Sequence, residues 1–130
     1  MTEQLRDQIK DTIESEDVVL FMKGTPERVL CGNSSRALEA LRSAGASVVA
    51  VDVRLDPAIR QELSALSQWP TIPQVFVKGE LVGGADIVQE LAETGELRTI
   101  LDERLGDGWS TGEREERVAR VGAAAPFRLA

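Results

Sequence analysis

The chain is predicted to fold as an α/β domain, and three observations predict it. Apolar runs of strand length stand at 18–22 and 48–53, apolar positions at helical spacing lie between and around them, and a tight-turn dipeptide at 78–79 separates two further short apolar runs. Two apolar strands joined by a helix make a crossover unit, which places them parallel in one sheet. The expected order is helix, strand, helix, strand, helix, strand, strand, helix, helix, with helices for both faces of a four-stranded mixed sheet.

Each element has its own signal. Leu5, Ile9 and Ile13 recur every four residues and mark a first amphipathic helix, which gives way at Asp17 to the buried run Val18-Val19-Leu20-Phe21-Met22. A loop to Leu30 precedes a helix with Ala37, Leu38, Leu41 and Ala44 on its apolar face, and Gly45 stands where a left-handed helix end favours glycine. Val48 to Val53 is the second strand. Asp56-Pro57 opens a helix carrying Ile59, Leu63 and Leu66, with proline at the first helical position. Gln74 to Val77 and Glu80 to Val82 form an antiparallel hairpin about Lys78-Gly79. Ile87, Val88 and Leu91, then Leu97, Ile100, Leu101 and Leu105, mark two closing helices.

Composition changes after Leu105, so the chain divides into a domain over 1–105 and a C-terminal tail over 106–130. Gly106-Asp107-Gly108-Trp109-Ser110-Thr111-Gly112 reads as a linker, and the stretch to Ala130 is expected to be flexible, with a short marginal helix over 113–121. Trp109 and Phe127 are its candidates for docking on the domain. The tail is charge-neutral, so the whole net charge of −7 belongs to the domain.

Several function classes are excluded by composition. The 130 residues contain no histidine and one cysteine, so Cys–His and Ser–His–Asp machinery is absent and one chain cannot build a structural zinc site. The negative balance opposes non-specific nucleic-acid binding, which requires a basic surface. No apolar run approaches the roughly 18 residues of a membrane span, and Met1-Thr2-Glu3-Gln4 does not begin a signal peptide. A cytoplasmic protein with a reduced cysteine is expected.

That cysteine, Cys31, is the most informative residue. It opens the second helix as Cys31-Gly32-Asn33-Ser34, facing unpaired N–H groups and the positive end of the helix dipole, with Lys23 close in sequence; all three favour thiolate over thiol. A lone cysteine is also compatible with service as a small buried hydrophobe.

Three motifs then point one way. Phe21-Met22-Lys23-Gly24-Thr25-Pro26-Glu27, Trp69-Pro70-Thr71-Ile72-Pro73-Gln74-Val75 and Gly83-Gly84-Ala85-Asp86-Ile87, in this order and spacing, resemble the monothiol glutaredoxins of the Cys-Gly-Phe-Ser type over residues 2 to 105. The resemblance implies a thioredoxin-like (glutaredoxin) fold, Cys31 at the N-terminus of the second helix and a cis Pro73. It also implies a glutathione site, with Lys23 and Arg60 meeting a carboxylate and the backbone of Ile72, between Thr71 and Pro73, pairing with the cysteine moiety as a short added strand. Gly84 allows close backbone approach, and the helix start at Ala85 and Asp86 receives the γ-glutamyl carboxylate. On residue type alone Arg60 reads as a solvated helix charge and Asp86 as a helix cap.

A [2Fe–2S] cluster takes four thiolate-type ligands, whereas one protomer with one glutathione offers two. The resemblance therefore implies a cluster bridging a homodimer, ligated by Cys31 and glutathione from each side and passed to iron–sulfur client or assembly proteins. Ser34 stands where a resolving cysteine would stand, so any redox chemistry must use glutathione as the second thiol. Two departures are notable: Asn33 replaces the family's phenylalanine, and Arg28-Val29-Leu30 lacks the proline found two residues before the cysteine. Ala85, where many relatives carry a second cysteine, leaves glutathione binding intact. The leading expectation is a glutathione-dependent [2Fe–2S] carrier rather than an enzyme. The alternatives are a monothiol oxidoreductase acting on glutathione mixed disulfides, and a degenerate regulatory module whose tail recruits partners.

Overall fold

The computed structural model describes residues 2–122. Helix α1 (Thr2–Ser15) leads into β1 (Val18–Met22), followed by α2 (Gly32–Ser43), β2 (Val48–Asp52), α3 (Pro57–Ser67), β3 (Gln74–Val77), β4 (Glu80–Gly83), α4 (Ala85–Thr94), α5 (Glu96–Leu105) and β5 (Glu116–Val118). Val53, expected to end the second strand, starts a 3-10 turn over Val53–Leu55 instead. Asp56 caps α3, its carboxylate accepting the Ala58 N–H at 3.0 Å, with Pro57 at the first position.

The strands are ordered β4-β3-β1-β2-β5. β1 pairs parallel with β2 across the α2 crossover and antiparallel with β3, and β3 and β4 form the expected hairpin. Successive side chains of a strand point to opposite faces. Val18, Leu20 and Met22 accordingly meet Leu38, Leu41, Val88, Leu97 and Leu101 from α2, α4 and α5, while Val19 and Phe21 meet Ile9, Ile13, Ile59 and Leu63 from α1 and α3. Both faces are covered, which is why β1 and β2 are buried at every position and read as continuous apolar runs. Phe21 and Phe76 pack edge to face at 5.7 Å on the α1/α3 side. Leu66 lies more than a third exposed, although the helical spacing puts it on the apolar face.

The four-strand count is corrected: the sheet has a fifth strand. β5 pairs parallel with β2, matching Val48, Val49 and Ala50 to Glu116, Arg117 and Val118, so no helix forms over 113–121. The segment from 106 to 122 is laid along the domain. Trp109 packs against the α2/α4/α5 core, takes Arg98 over its ring at 4.7 Å and donates its indole N–H to Asp102 at 2.7 Å. Val121 is buried with α1, and the Gly122 N–H donates to Gln8 at 2.8 Å. Phe127 lies outside the described residues. No helix among the described residues is long and apolar enough to cross a membrane.

Candidate functional site

Cys31 is the N-cap of α2, with extended φ and ψ of −151° and 133°. That conformation sets its sulfur over the first-turn amides, which have no intrahelical partners of their own. The thiol is partly exposed. The backbone N–H of Ser34 is the main reason its pKa falls below the ordinary value; burial opposes, and the Asn33 N–H, the Ser34 hydroxyl and the Lys23 charge add to the lowering in that order. Lys23 is thus a minor contributor and the helix start the major one. Ser34 is fully buried, and its Oγ accepts the Lys23 N–H at 3.0 Å, so it joins the β1 end to the thiol.

The loop from Lys23 to Leu30 is closed by backbone bonds. Leu30 donates to the Lys23 carbonyl at 3.0 Å, and Thr25 and Arg28 exchange bonds at 3.1 and 3.0 Å. Gly24 is the tightest point. Its φ is +97°, and a Cβ there would stand 2.3 Å from the Arg28 carbonyl and 2.9 Å from the Leu30 nitrogen. The Gly24 N–H donates at 3.1 Å to Asp52, a carboxylate only 3% exposed that also accepts from the Arg54 backbone and guanidinium. Burial raises the Asp52 pKa, but the bonds from Arg54 and Gly24 outweigh it and hold the group below its usual value.

A groove of about 420 Å³ opens between the turn before β3 and the start of α4. It is lined by Asn33, Trp69, Thr71, Ile72, Pro73, Gly84, Ala85, Asp86 and Ile87, so six of the sequence-predicted site residues come together in one cleft. The Ile72–Pro73 peptide bond is cis. Gly84 lies in close approach: a Cβ there would sit 3.2 Å from the Trp69 indole nitrogen and 3.3 Å from the Pro73 carbonyl, so a side chain would have to push these neighbours aside by a few tenths of an ångström. Gly84 caps α4, leaving the helix's first amides facing the groove and able to receive a carboxylate. Cys31, Lys23 and Arg60 are not part of the lining. Arg60 is exposed in the first turns of α3 and makes no ion pair among the described residues.

Four residues that carry no site role in the sequence reading shape this site. Arg36, on α2, bridges Asn33 at 3.1 Å, Asp86 at 2.7 Å and Gln89 at 2.7 Å, tying the thiol helix to the start of α4. Asp86 is 89% exposed at its side chain, so water screens this pair and it adds little stability. Gln74 is fully buried and donates to the Trp69 and Thr71 carbonyls at 2.9 and 3.1 Å, holding the turn that presents Ile72. In sequence it stands inside the Trp69–Val75 motif, as an amide opening an apolar strand. Trp69 lines the groove with an indole N–H buried against Gly84 and without a hydrogen-bond partner among the described residues. The fourth is Asp52, hidden at the end of an apolar strand. Asn33 is exposed, its side chain turned to Arg36 at the groove rim.

A family model described as glutaredoxin matches residues 18–82. The chain is 50% identical to monothiol glutaredoxin-S11 of Oryza sativa subsp. japonica over 101 residues, covering 78% of this chain and 21% of that protein. It is 44% identical to glutaredoxin 4 of Haemophilus ducreyi over 97 residues, covering 75% of this chain and 91% of that one. The chain thus spans about a fifth of the rice protein and nearly all of the bacterial one. A solution structure of a monomeric truncated mutant of Trypanosoma brucei 1-C-Grx1 superposes with a TM-score of 0.69 at 43% identity, covering 76% of this chain and 90% of that chain.

Proposed function

The chain belongs to the glutaredoxin family, and from that premise we propose that it is a monothiol, glutathione-dependent carrier of [2Fe–2S] clusters working in the reducing cytoplasm, with residues 1–105 as the carrier unit. The observation that carries this reading is one partly exposed thiol of lowered pKa at a helix start, in a chain with no second cysteine, together with a groove of about 420 Å³ lined by Asn33 of the same helix, the turn before β3 and the start of α4.

Glutathione is a small anion with an extended backbone, and the chain offers something to each part of it. Lys23 and Arg60 are cations in an acidic domain and suit the glycyl carboxylate. The Ile72 backbone, ahead of the cis Pro73, suits a short added strand. The α4 amides suit the γ-glutamyl carboxylate, and Asp86 suits its ammonium, which displaces Arg36.

The donor set suits a shared cluster and not one held by a single chain. One thiolate per protomer, and no group of three His, Cys, Asp or Glu residues placed to hold a metal among the described residues, leave two protomers and two glutathiones as the source of four sulfur ligands. The cluster is then cargo, lent to iron–sulfur client or assembly proteins, and the homodimer lasts as long as the cargo does.

A second reading is favoured by Asn33, a polar side chain at the groove rim where an apolar one would shield a cluster. In it the Cys31 thiolate attacks a protein–glutathione disulfide, expelling the protein thiolate and becoming glutathionylated. A second glutathione thiolate then restores Cys31 and leaves as glutathione disulfide. Anaerobic reconstitution with and without glutathione, followed by absorption and native mass measurement, separates the two. Visible charge-transfer bands on a glutathione-dependent dimer support the carrier. A colourless monomer that turns over a glutathione mixed disulfide supports the oxidoreductase, and neither signal leaves a regulatory module.

A further inference from the structure

The C-terminal strand reaches the active-site loop through one arginine. Arg42, near the end of the thiol helix α2, makes a two-pronged pair with Glu116 of β5, from Nε and from one terminal nitrogen, both at 2.8 Å. The same terminal nitrogen donates to the Pro26 carbonyl at 3.3 Å, and the other holds Glu39 at 2.7 Å. One guanidinium therefore ties β5, α2 and the Lys23–Leu30 loop together. Arg42 is 29% and Glu116 18% exposed at their side chains, so the pair is shielded more than the other arginine pairs of β5. That pairing, with a further bond from Arg114, pulls Glu116 down to about 2 against the opposing effect of burial.

β5 is itself well seated at this point. Val48 donates to the Glu115 carbonyl and Ala119 to the Ala50 carbonyl, both at 2.9 Å, and the Glu115 N–H donates to Ser47 at 2.9 Å. Between the strand and the loop lies a groove of about 520 Å³ with Thr25, Pro26 and Glu27 along one side and Glu116, Val118 and Arg120 along the other. Nothing but Arg42 crosses from Glu116 to the Pro26 carbonyl among the bonds of the described residues. Glu116 and β5 lie beyond residues 18–82, the part that matches the family model, whereas Arg42 and Pro26 lie within it.

We propose that β5 is a clamp on the active-site loop, with Arg42 and Glu116 as positioning residues that hold the Pro26 carbonyl and so set where Lys23 stands for a glutathione carboxylate. The ligand half of this statement rests on the glutathione reading above; the loop half does not. Geometry distinguishes the two residues' parts: a lysine at 42 keeps an ion pair with Glu116 but has no second nitrogen in a fixed fork for Pro26.

The test is hydrogen exchange of the Thr25, Arg28 and Leu30 amides in the full chain, with reduced glutathione affinity measured by calorimetry on the same samples. Arg42→Lys and Glu116→Gln are compared with Arg117→Ala, which removes the Arg117 pair with Glu16, just after α1, and touches neither Arg42 nor the loop. The clamp predicts loop exchange about tenfold faster in Arg42→Lys and Glu116→Gln, near-normal loop exchange in Arg117→Ala, and weaker glutathione binding only in the first two. Should Glu116→Gln fail to fold, Arg42→Lys, which preserves the charges, decides alone. Loop exchange in Arg42→Lys no faster than in Arg117→Ala overturns the proposal. Faster loop exchange with no glutathione bound by any form keeps the clamp and discards the ligand.

Discussion

Gly24→Ala tests whether the active-site loop is as tightly specified as its geometry implies. The new Cβ would lie 2.3 Å from the Arg28 carbonyl, 2.9 Å from the Leu30 nitrogen and 3.2 Å from the Val29 Cα. All three are backbone atoms, so no side chain can swing aside and the loop itself must open. The cost has two parts. Holding a non-glycine residue at a φ of +97° costs about 1–2 kcal/mol. Opening the loop sacrifices the Gly24 bond to the buried Asp52 carboxylate, worth about 1.5–3 kcal/mol, and the Leu30 bond to Lys23, worth about 1 kcal/mol. The expected loss is about 3.5–6 kcal/mol, a large share of the 5–15 kcal/mol typical of a domain. Gly95→Ala is the control, because it shares a positive φ of +84° but meets nothing within 4 Å, and it should cost only about 1 kcal/mol. Urea denaturation followed by circular dichroism measures both. A Gly24→Ala loss below about 1 kcal/mol at unchanged m, or one equal to that of Gly95→Ala, would refute the steric account.

Acid should release the β5 anchor. Glu116 has a folded pKa of about 2 against an ordinary 4.5, so its contribution is complete above about pH 4.5 and fades as the pH falls toward 2. At about 1.4 kcal/mol per unit the ceiling is about 3 kcal/mol, and partial exposure reduces it to about 1–2 kcal/mol. Glu116→Gln should therefore flatten the stability profile between pH 2 and 5, and an unchanged slope there argues against the pair. The Cys31 thiol should alkylate with a midpoint below that of a free cysteine, and Ser34→Ala should raise it by removing the hydroxyl while Lys23→Ala moves it less. A midpoint at the ordinary value in the unmodified protein defeats that ordering. Asn33→Phe should lengthen the life of a reconstituted cluster in air with glutathione affinity nearly unchanged, since an apolar ring then shields the thiol side of the groove. Equal decay of the visible absorption in the two proteins would show that position 33 shields nothing.

Much of this molecule was readable in one dimension because its determinants are local. The period of Leu5, Ile9 and Ile13, the capping Asp56-Pro57 pair, the Lys78-Gly79 turn and the helix start at Cys31 each act within a few residues, and each is found where the pattern puts it. Of the candidate site residues that the resemblance implies, Thr71–Pro73 and Gly84–Asp86 line one cleft, whereas Lys23, Cys31 and Arg60 lie outside its lining. What stayed hidden depends on partners far along the chain. β5 is three residues, Glu-Arg-Val, inside a charge-rich stretch with no strand pattern; it becomes a strand only because β2, 68 residues earlier, offers an open edge. Arg36 and Asp86 lie 50 residues apart, and Arg42 and Glu116 74 apart, so no window of sequence contains both members of either pair. Asp52 and Gln74 look like interruptions of apolar strands until folding brings the Gly24 amide to one and the Trp69 and Thr71 carbonyls to the other. Local pattern specified the elements and the thiol, whereas the loop's anchors and the strand that clamps it exist only because the sheet brings distant segments within hydrogen-bonding distance.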